Sequence, residues 1–391
     1  MSRENDLNKM RDTMVAFAQR SGLSPSAKPP RRYLWTDAFA VCNFLELNRQ
    51  TGAEEYRRLA LQLIDQVHVT LGRHRDDDPR SGWISGLDER QGALHPTAGG
   101  LRIGKQMSER RPGEPLNDRL EWDRDGQYYH YLTRWMHALN QVSEAVGDPV
   151  YNRWAIELAK TAHAAFTNAP VTGGPKRMYW KMSVDLTYPL VDSMGQHDPL
   201  DGLITYSQLQ ATAAARGSAT GAPDLNREIE ELAEICKDKS WVTQDSLGIG
   251  GLLVDAFKLS RLISRKRFEK TGMLEVLLES TLPGLHYFQR ENPLRLPAEY
   301  RLAFRELGLT IGLQAADMMH KVLSTQPAGF ANPQRLFSRL KEVLSHGLQA
   351  SAIREFWMAP VNQESASWME HLDINSVMLA TTMAPDGYVS I

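Results

Sequence analysis

Three segments of the 391-residue chain align on a glycine: Gly52-Ala-Glu-Glu-Tyr56, Gly147-Asp-Pro-Val-Tyr151 and Gly221-Ala-Pro-Asp-Leu225. In each, a large apolar or aromatic residue follows the glycine by four. Another residue follows four later (Ala60, Ala155, Ile229), and a leucine three after that (Leu63, Leu158, Leu232). Steps of four, four and three trace one face of an α-helix that begins just past a turn. Gly272 followed by Val276 is a partial fourth copy. The glycine itself suits the left-handed C-cap of a preceding helix. Such a repeat constrains the fold more than composition does, because each copy buries its apolar face only against its neighbours.

Each of these one-sided helices follows a helix that is apolar around most of its circumference. The spacing predicts the uniformly apolar set at about residues 35–48, 124–145, 200–216, 246–264, 299–322 and 366–383. It predicts the one-sided set at about 53–72, 149–167, 224–237, 270–289, 333–347 and 4–20. Helices apolar all round belong inside, and one-sided helices face water. The expected fold is therefore all-α: an (α/α)6 barrel of six helical hairpins with inner and outer rings. It forms a single domain over residues 1–391, with the N-terminal helix at 4–20 closing the ring against the C-terminal helix at 366–383. Strand signals are confined to residues 80–110, where Gly-Trp-Ile-Ser-Gly and Gly-Gly-Leu-Arg-Ile-Gly predict a small β-hairpin insertion.

Composition removes several function classes. A net charge of -2 gives no basic patch for nucleic acid or an anionic membrane. No stretch approaches the ~18 to 20 apolar residues of a membrane span. The two cysteines, Cys42 and Cys236, sit in apolar helical patterns and exclude a disulfide framework. The charged, amphipathic first 20 residues lack the apolar core of a secretory signal. The expectation is a cytoplasmic protein. No CxxC, HExxH or GxSxG spacing occurs, so neither a metal nor a cofactor is expected, and Asp76-Asp77-Asp78 beside Pro79 reads as a solvated turn.

Connections within a hairpin are short, whereas those leading into the apolar helices at 73–122 and 168–199 are long. Long ordered loops in a compact domain usually carry function. The starts of the apolar helices repeat a composition of acids and flat rings. They read Trp35-Thr36-Asp37, then Trp122-Asp123-Arg124-Asp125-Gly126-Gln127-Tyr128-Tyr129-His130, Asp198-Pro199-Leu200-Asp201, and Trp241 through Gln244-Asp245-Ser246. The fifth and sixth starts hold Tyr300-Arg301 and Trp368-Met-Glu370-His371. Helix capping accounts for Thr36, Asp123, Asp198 and Ser246 taken one at a time. It does not account for the rings, nor for charges inside an apolar helix, which are costly unless paired or facing a wet cavity.

Rings stack on the C–H faces of sugars, and acids bind their hydroxyls. Glycosidic cleavage needs one carboxyl held protonated and another ionised. Asp125, expected a turn inside the second apolar helix beside Tyr128 and Tyr129, is the candidate acid, with Asp37 and Asp201 as partners. Trp35, Trp122, Asp123, Gln127, Tyr128, Tyr129, His130, Asp198, Arg301, Trp368, Glu370 and His371 are the candidate binding residues. Arg102 and Lys105 of the glycine-rich segment could hold an acidic group.

Six apolar helices, Thr-Gly turns and a mouth of Asp and Trp resemble the six-hairpin glycosidase-like superfamily, the (α/α)6 toroids, over nearly the whole chain. The resemblance implies glycoside hydrolases. Among them the unsaturated glucuronyl and rhamnogalacturonyl hydrolases use an Asp on each of two inner helices to protonate and hydrate a vinyl ether, at places comparable to Asp125 and Asp201. The leading expectation is a glycoside hydrolase acting on a small oligosaccharide, uronic-acid-containing ones included. The first alternative is an epimerase or isomerase similar to N-acylglucosamine 2-epimerase, with His130 and His371 as proton carriers. The second is a non-catalytic sugar-binding protein. A prenyl cyclase fits less well, since Asp123-Arg124-Asp125-Gly126 lacks the further acid of a DxDD motif. The partner expected is a small carbohydrate, and the oligomeric state is left open.

Overall fold

The computed structural model describes residues 3–25, 29–170, 173, 176–216 and 224–390. The chain groups into two compact units: Ala18–Lys237, here the N-terminal unit, and Met1–Phe17 with Asp238–Ile391, the C-terminal unit. Helix α1 (Arg3–Arg20) opens the chain, and its residues through Phe17 go with the C-terminal unit.

The N-terminal unit is built of three helical hairpins: α2 (Leu34–Thr51) with α3 (Glu54–Leu71), then, after the short helices α4 (Glu89–Leu94) and α5 (Asp118–Asp123), α6 (Tyr129–Val146) with α7 (Pro149–Phe166), and finally α8 (Asp198–Ala215) with α9 (Asn226–Ile235). The alternation read from the sequence holds. α2 buries an unbroken run from Leu34 to Leu47, while α3 buries only its Tyr56, Ala60, Leu63, Ile64, Val67, His68, Leu71 stripe. Each fully buried leucine or isoleucine contributes about 2 kcal/mol, so the stripe alone docks α3. Gly52 and Gly147 cap α2 and α6 at φ 71° and 78°, donating to Asn48 O and Ser143 O. Gly221 lies outside the described residues. Gly272 corrects the pattern: it opens the next helix at φ -65°, and the left-handed residue there is Lys266.

In the C-terminal unit α10 (Ser246–Ser264) pairs with α11 (Met273–Glu291), and α12 (Ala303–Thr325) with α13 (Pro333–Leu344). Residues 348–365, between the helices expected at 333–347 and 366–383, are themselves helical, in α14 (Gly347–Met358) and α15 (Pro360–Gln363). The helix expected over 366–383 is divided at His371 into α16 (Ala366–Glu370) and α17 (Leu372–Met383), and α18 (Asp386–Val389) follows. Arg354 on α14 binds Asp6 on α1 at 3.1 Å. α10 and α12 approach backbone to backbone, with a Cβ at Gly250 falling 2.1 Å from Gly308 O and one at Gly312 falling 2.6 Å from Gly250 Cα.

The β-hairpin expected near 80–110 is corrected. That segment holds only isolated bridges, Arg73 to Trp83 and Met107 to Arg124. Its backbone amides are divided between side chains and scattered carbonyls: Leu101 N–H donates to Gln127 Oε1 (2.8 Å) and Gly104 N–H to Asp125 Oδ1 (3.0 Å), while Ile84 N–H donates to Gly72 O and Arg102 N–H to Leu71 O (2.9 Å each). The strands occur later. β1 (Gln127–Tyr128) pairs antiparallel with β4 (Lys181–Met182), which pairs with β5 (Pro189–Val191); β2 (Thr167–Asn168) pairs with β3 (Arg177–Met178).

Candidate functional site

In the N-terminal unit β1 runs directly into α6, so Tyr128, Tyr129, His130 and Tyr131 leave the backbone in four directions within one strand-to-helix step. The pairing of Tyr128 with Lys181 brings Trp180 alongside. The imidazole of His130 stacks on Trp180 (6.3 Å, 15°) and lies 5.3 Å from the Tyr128 ring. It meets Tyr131 (4.9 Å) and Trp35 of α2 (5.9 Å) edge-on. The guanidinium of Arg134, one turn along α6, sits 5.5 Å over Trp35. Tyr33 and Tyr131 share a hydroxyl hydrogen bond of 2.6 Å, with the Lys105 ammonium 5.4 Å over the Tyr33 ring.

His130 keeps 24% of its side chain open within this cage of rings. Burial pushes its pKa down to about 3, reinforced by Arg134 and opposed by Asp201, so the imidazole is neutral at ordinary pH. Two acids stand on the first turn of α8. Asp201 accepts from Thr133 Oγ1 (2.5 Å) and Arg134 Nη1 (2.6 Å), which engage both of its oxygens. Asp198 lacks such donors. Burial and the neighbouring Asp201 charge push its pKa up to about 8 against the pull of Arg134, so it retains its proton at neutral pH. Its Oδ1 lies 3.8 Å from His130 Nδ1. Asp198 Oδ2 and His130 Nδ1 are both buried without a hydrogen-bond partner among the described residues. Gly195 covers this carboxyl closely, since a Cβ there would fall 2.3 Å from Asp198 Oδ2.

The capping reading fails for the acids and hydroxyls it was offered for. Tyr33, Tyr128 and His197 precede α2, α6 and α8 without a side-chain cap, and Asp245, not Ser246, caps α10 through Gly248 N–H. Asp198 is thus a buried acid with no cap to make.

The other expected residues take different places. Asp125 is not inside α6: Gly126, at φ 144°, keeps the chain extended until Tyr129. Its Oδ2 binds Arg102 Nη1 (2.6 Å), and its Oδ1 accepts from Gly104 N–H. Arg102 does hold an acidic group, and that group belongs to the chain itself. Asp37 folds back on its own helix start, binding Arg32 (3.3 Å) and Tyr33 N–H (2.9 Å). Gln127 clamps Gly99 O, Leu101 N–H and Val184 O. Tyr129 turns into the core to bond Tyr206 (3.0 Å). Asp123 is exposed at the end of α5, and half-exposed Trp122 meets Trp180 edge-on at 5.2 Å. In the C-terminal unit Arg301 is buried in a fork on Glu306, Trp368 stacks on Trp357 at 5.6 Å, Glu370 is exposed, and half-buried His371 meets Phe304 at 5.3 Å.

Three residues of the cage escaped the sequence reading: Tyr131, Arg134 and Trp180. Arg134 had a signal, being four residues after His130 on one face of an apolar helix. Trp180 had none, because a long connection carries no period. Underneath, buried Lys181 donates to Glu121 Oε1, Glu121 O and Arg124 O, each at 2.8 Å, and so pins β4 to α5. No group of three or more His, Cys, Asp or Glu able to hold a metal ion occurs among the described residues, and no described helix is long and apolar enough to cross a membrane.

No family model matches the sequence, and no curated protein matches it. Solved structures match the fold, among them two at a TM-score of 0.50 or above. A sugar epimerase from a ruminal bacterium aligns at TM-score 0.50 and 10% identity over 98% of both chains. The cellobiose 2-epimerase of Spirochaeta thermophila DSM 6192 aligns at TM-score 0.52 and 13% identity, covering 98% of this chain and 96% of that one. At such identities the likeness shows the fold alone, and that fold is the all-α, (α/α)6 architecture.

Proposed function

We propose that the chain is a sugar epimerase or isomerase in which His130 moves a proton at the carbon next to an open-chain carbonyl. One observation carries this reading: a neutral, partly open imidazole, caged by sugar-stacking rings, faces a protonated carboxyl that has no partner of its own. A neutral histidine can accept the C2 proton of an aldose, leaving an enediolate. Asp198 can donate to the carbonyl oxygen as charge develops there. His130 then returns its proton. Delivery to the opposite face of C2, once the enediol has turned over beside it, gives the epimer, and the O1 proton goes back to Asp198. Delivery to C1 gives the ketose, and the O2 proton goes back to Asp198 instead. Positioned acid–base groups contribute typically ~10²–10⁴-fold. The shared architecture with two proteins described as sugar epimerases supports the same reading.

Glycoside hydrolysis fits less well. It needs a free acid and a free base or nucleophile flanking one bond. Asp37, Asp125 and Asp201 each have both oxygens engaged by arginine, backbone amide or hydroxyl donors. The test is incubation with reducing sugars in D₂O, cellobiose among them, followed by NMR. Epimerisation or isomerisation washes deuterium into C2 and yields a new sugar without cleavage, and His130→Asn abolishes this. His371→Asn measures the contribution of the histidine that the sequence reading paired with it. Cleavage with no exchange at C2 would instead establish the hydrolase.

A further inference from the structure

A cavity of about 310 Å³ lies in the C-terminal unit between the first turns of α10 and α12 and the C-terminal end of α11. Small-molecule sites run from ~300 to 1,000 Å³, so this one has room for a single ring rather than an extended ligand. Its floor is rigid. Arg301, 3% exposed, forks onto Glu306, its guanidinium lies 3.7 Å over the Phe356 ring, and Glu306 also accepts from Trp357 Nε1 at 2.8 Å. These groups satisfy one another and serve as a base.

The walls are different. Asp245 uses Oδ2 to cap α10 and Oδ1 to bind Arg305 Nη1 at 2.6 Å. Both side chains remain 39% exposed. A guanidinium has five N–H donors and a carboxylate about four acceptor sites, so each keeps capacity toward the cavity. Tyr300 leaves 77% of its surface in solvent, a large exposed area for a tyrosine, and Tyr287 and Glu291 complete the lining. Among the lining residues three carboxylates (Asp245, Glu291, Glu306) face two guanidiniums (Arg301, Arg305). That balance disfavours a phosphate or a uronate. Rings beside paired donors and acceptors suit a neutral polyol with one apolar face.

We propose that this cavity is a binding site for one uncharged pyranose unit, held by Arg305 and Asp245 through hydroxyls and by Tyr300 through its C–H face. The site rests on the carbohydrate reading of the chain and narrows it to neutral sugars. It is tested by saturation-transfer NMR titration of the full chain with glucose, cellobiose, glucuronate and glucose 6-phosphate. The variants are Tyr300→Ala, Arg305→Gln and the two combined, with circular dichroism as the folding check. The substituted side chains are exposed or half-exposed, so the fold is retained. Glucose and cellobiose should bind more tightly than the two anions. The double variant should weaken them roughly tenfold, the effect of removing one charge-assisted hydrogen bond and one stacking ring. Unchanged affinity in the double variant, or tighter binding of glucuronate than of glucose, overturns the site. Deuterium exchange at C2 in the same samples separates the two proposals. Exchange with unaltered binding in the double variant removes the cavity site and leaves the epimerase reading. Weakened binding in the double variant with no exchange on any sugar does the reverse.

Discussion

His130 Nδ1 and Asp198 Oδ1 stand 3.8 Å apart, each on the first turn of its own helix. A hydrogen bond needs about 2.7–3.2 Å, so the pair stops short of one. Buried polar atoms nearly always have partners, and His130 Nδ1 and the other carboxyl oxygen, Asp198 Oδ2, have none among the described residues, which marks a place where the fold leaves binding capacity unused. The same surroundings that push the imidazole toward neutrality push the carboxyl toward retaining its proton. A base and an acid are thereby both ready at neutral pH, a division of labour that two similarly solvated groups cannot reach.

Asp198 makes stability depend on alkali. Its folded pKa of about 8 lies above the 3.8 of an ordinary aspartate, so the folded state binds the extra proton between those values and wild-type stability falls as pH rises through the window. Asp198→Asn removes that slope. Measured by urea unfolding at pH 4, 6 and 8, the variant should gain on the wild type by a few kcal/mol across the series. Parallel pH curves for the two proteins would refute the assignment.

His130 acts in the opposite direction. Its folded pKa of about 3 lies below the usual 6.5, so the unfolded chain takes up the proton first and stability is lost as pH falls below 6.5. Between pH 7 and 5 the group should cost up to about 2 kcal/mol, and His130→Asn should flatten that part of the curve. His68, also pushed to about 3 and accepting from Trp135 Nε1 at 3.2 Å, keeps a residual slope in the variant.

Lys181→Met strips the cation from Glu121 and leaves two backbone carbonyls without their donor. Removing one partner of a buried pair costs ~3–5 kcal/mol, and the same loss is expected in chemical denaturation here. Lys181 also lies 5.2 Å over the Tyr128 ring, so C2 exchange should weaken with it. A variant as stable as the wild type would show that the pair contributes little.

Adjacent glycines on α10 should respond with opposite signs. Gly250→Ala drives a methyl to 2.1 Å from Gly308 O and should cost about 3 kcal/mol as the helices separate. Gly251→Ala meets nothing within 4 Å and should stabilise by ~0.5–1 kcal/mol through helix propensity. Melting temperatures that move together would contradict the close approach of the two helices.

The hairpins were legible because periodicity is a local property: Tyr56, Ala60 and Leu63 advertise their stripe within eight residues, and Gly52 marks the turn before it. The acids were misplaced because their meaning is set by distant partners. Asp125 answers to Arg102, 23 positions away, and Gln127 to Val184, 57 away. No spacing rule reaches that far. Trp180 is invisible for the same reason, entering the cage only through the register of Lys181 opposite Tyr128. His130 and Asp198 were picked out as ring-and-acid company, but their opposite protonation comes from burial, which a string of letters does not carry.

The clamps from Asp125 and Gln127 onto residues 99–105 have an evolutionary corollary. The strand that delivers His130 is fastened at the roots of the long preceding connection, so the exposed crest of that connection, around Pro112 and Gly113, can lengthen, shorten or change its chemistry without disturbing the proton-transfer pair. Under the proposed epimerase function, a change of sugar would find its raw material there.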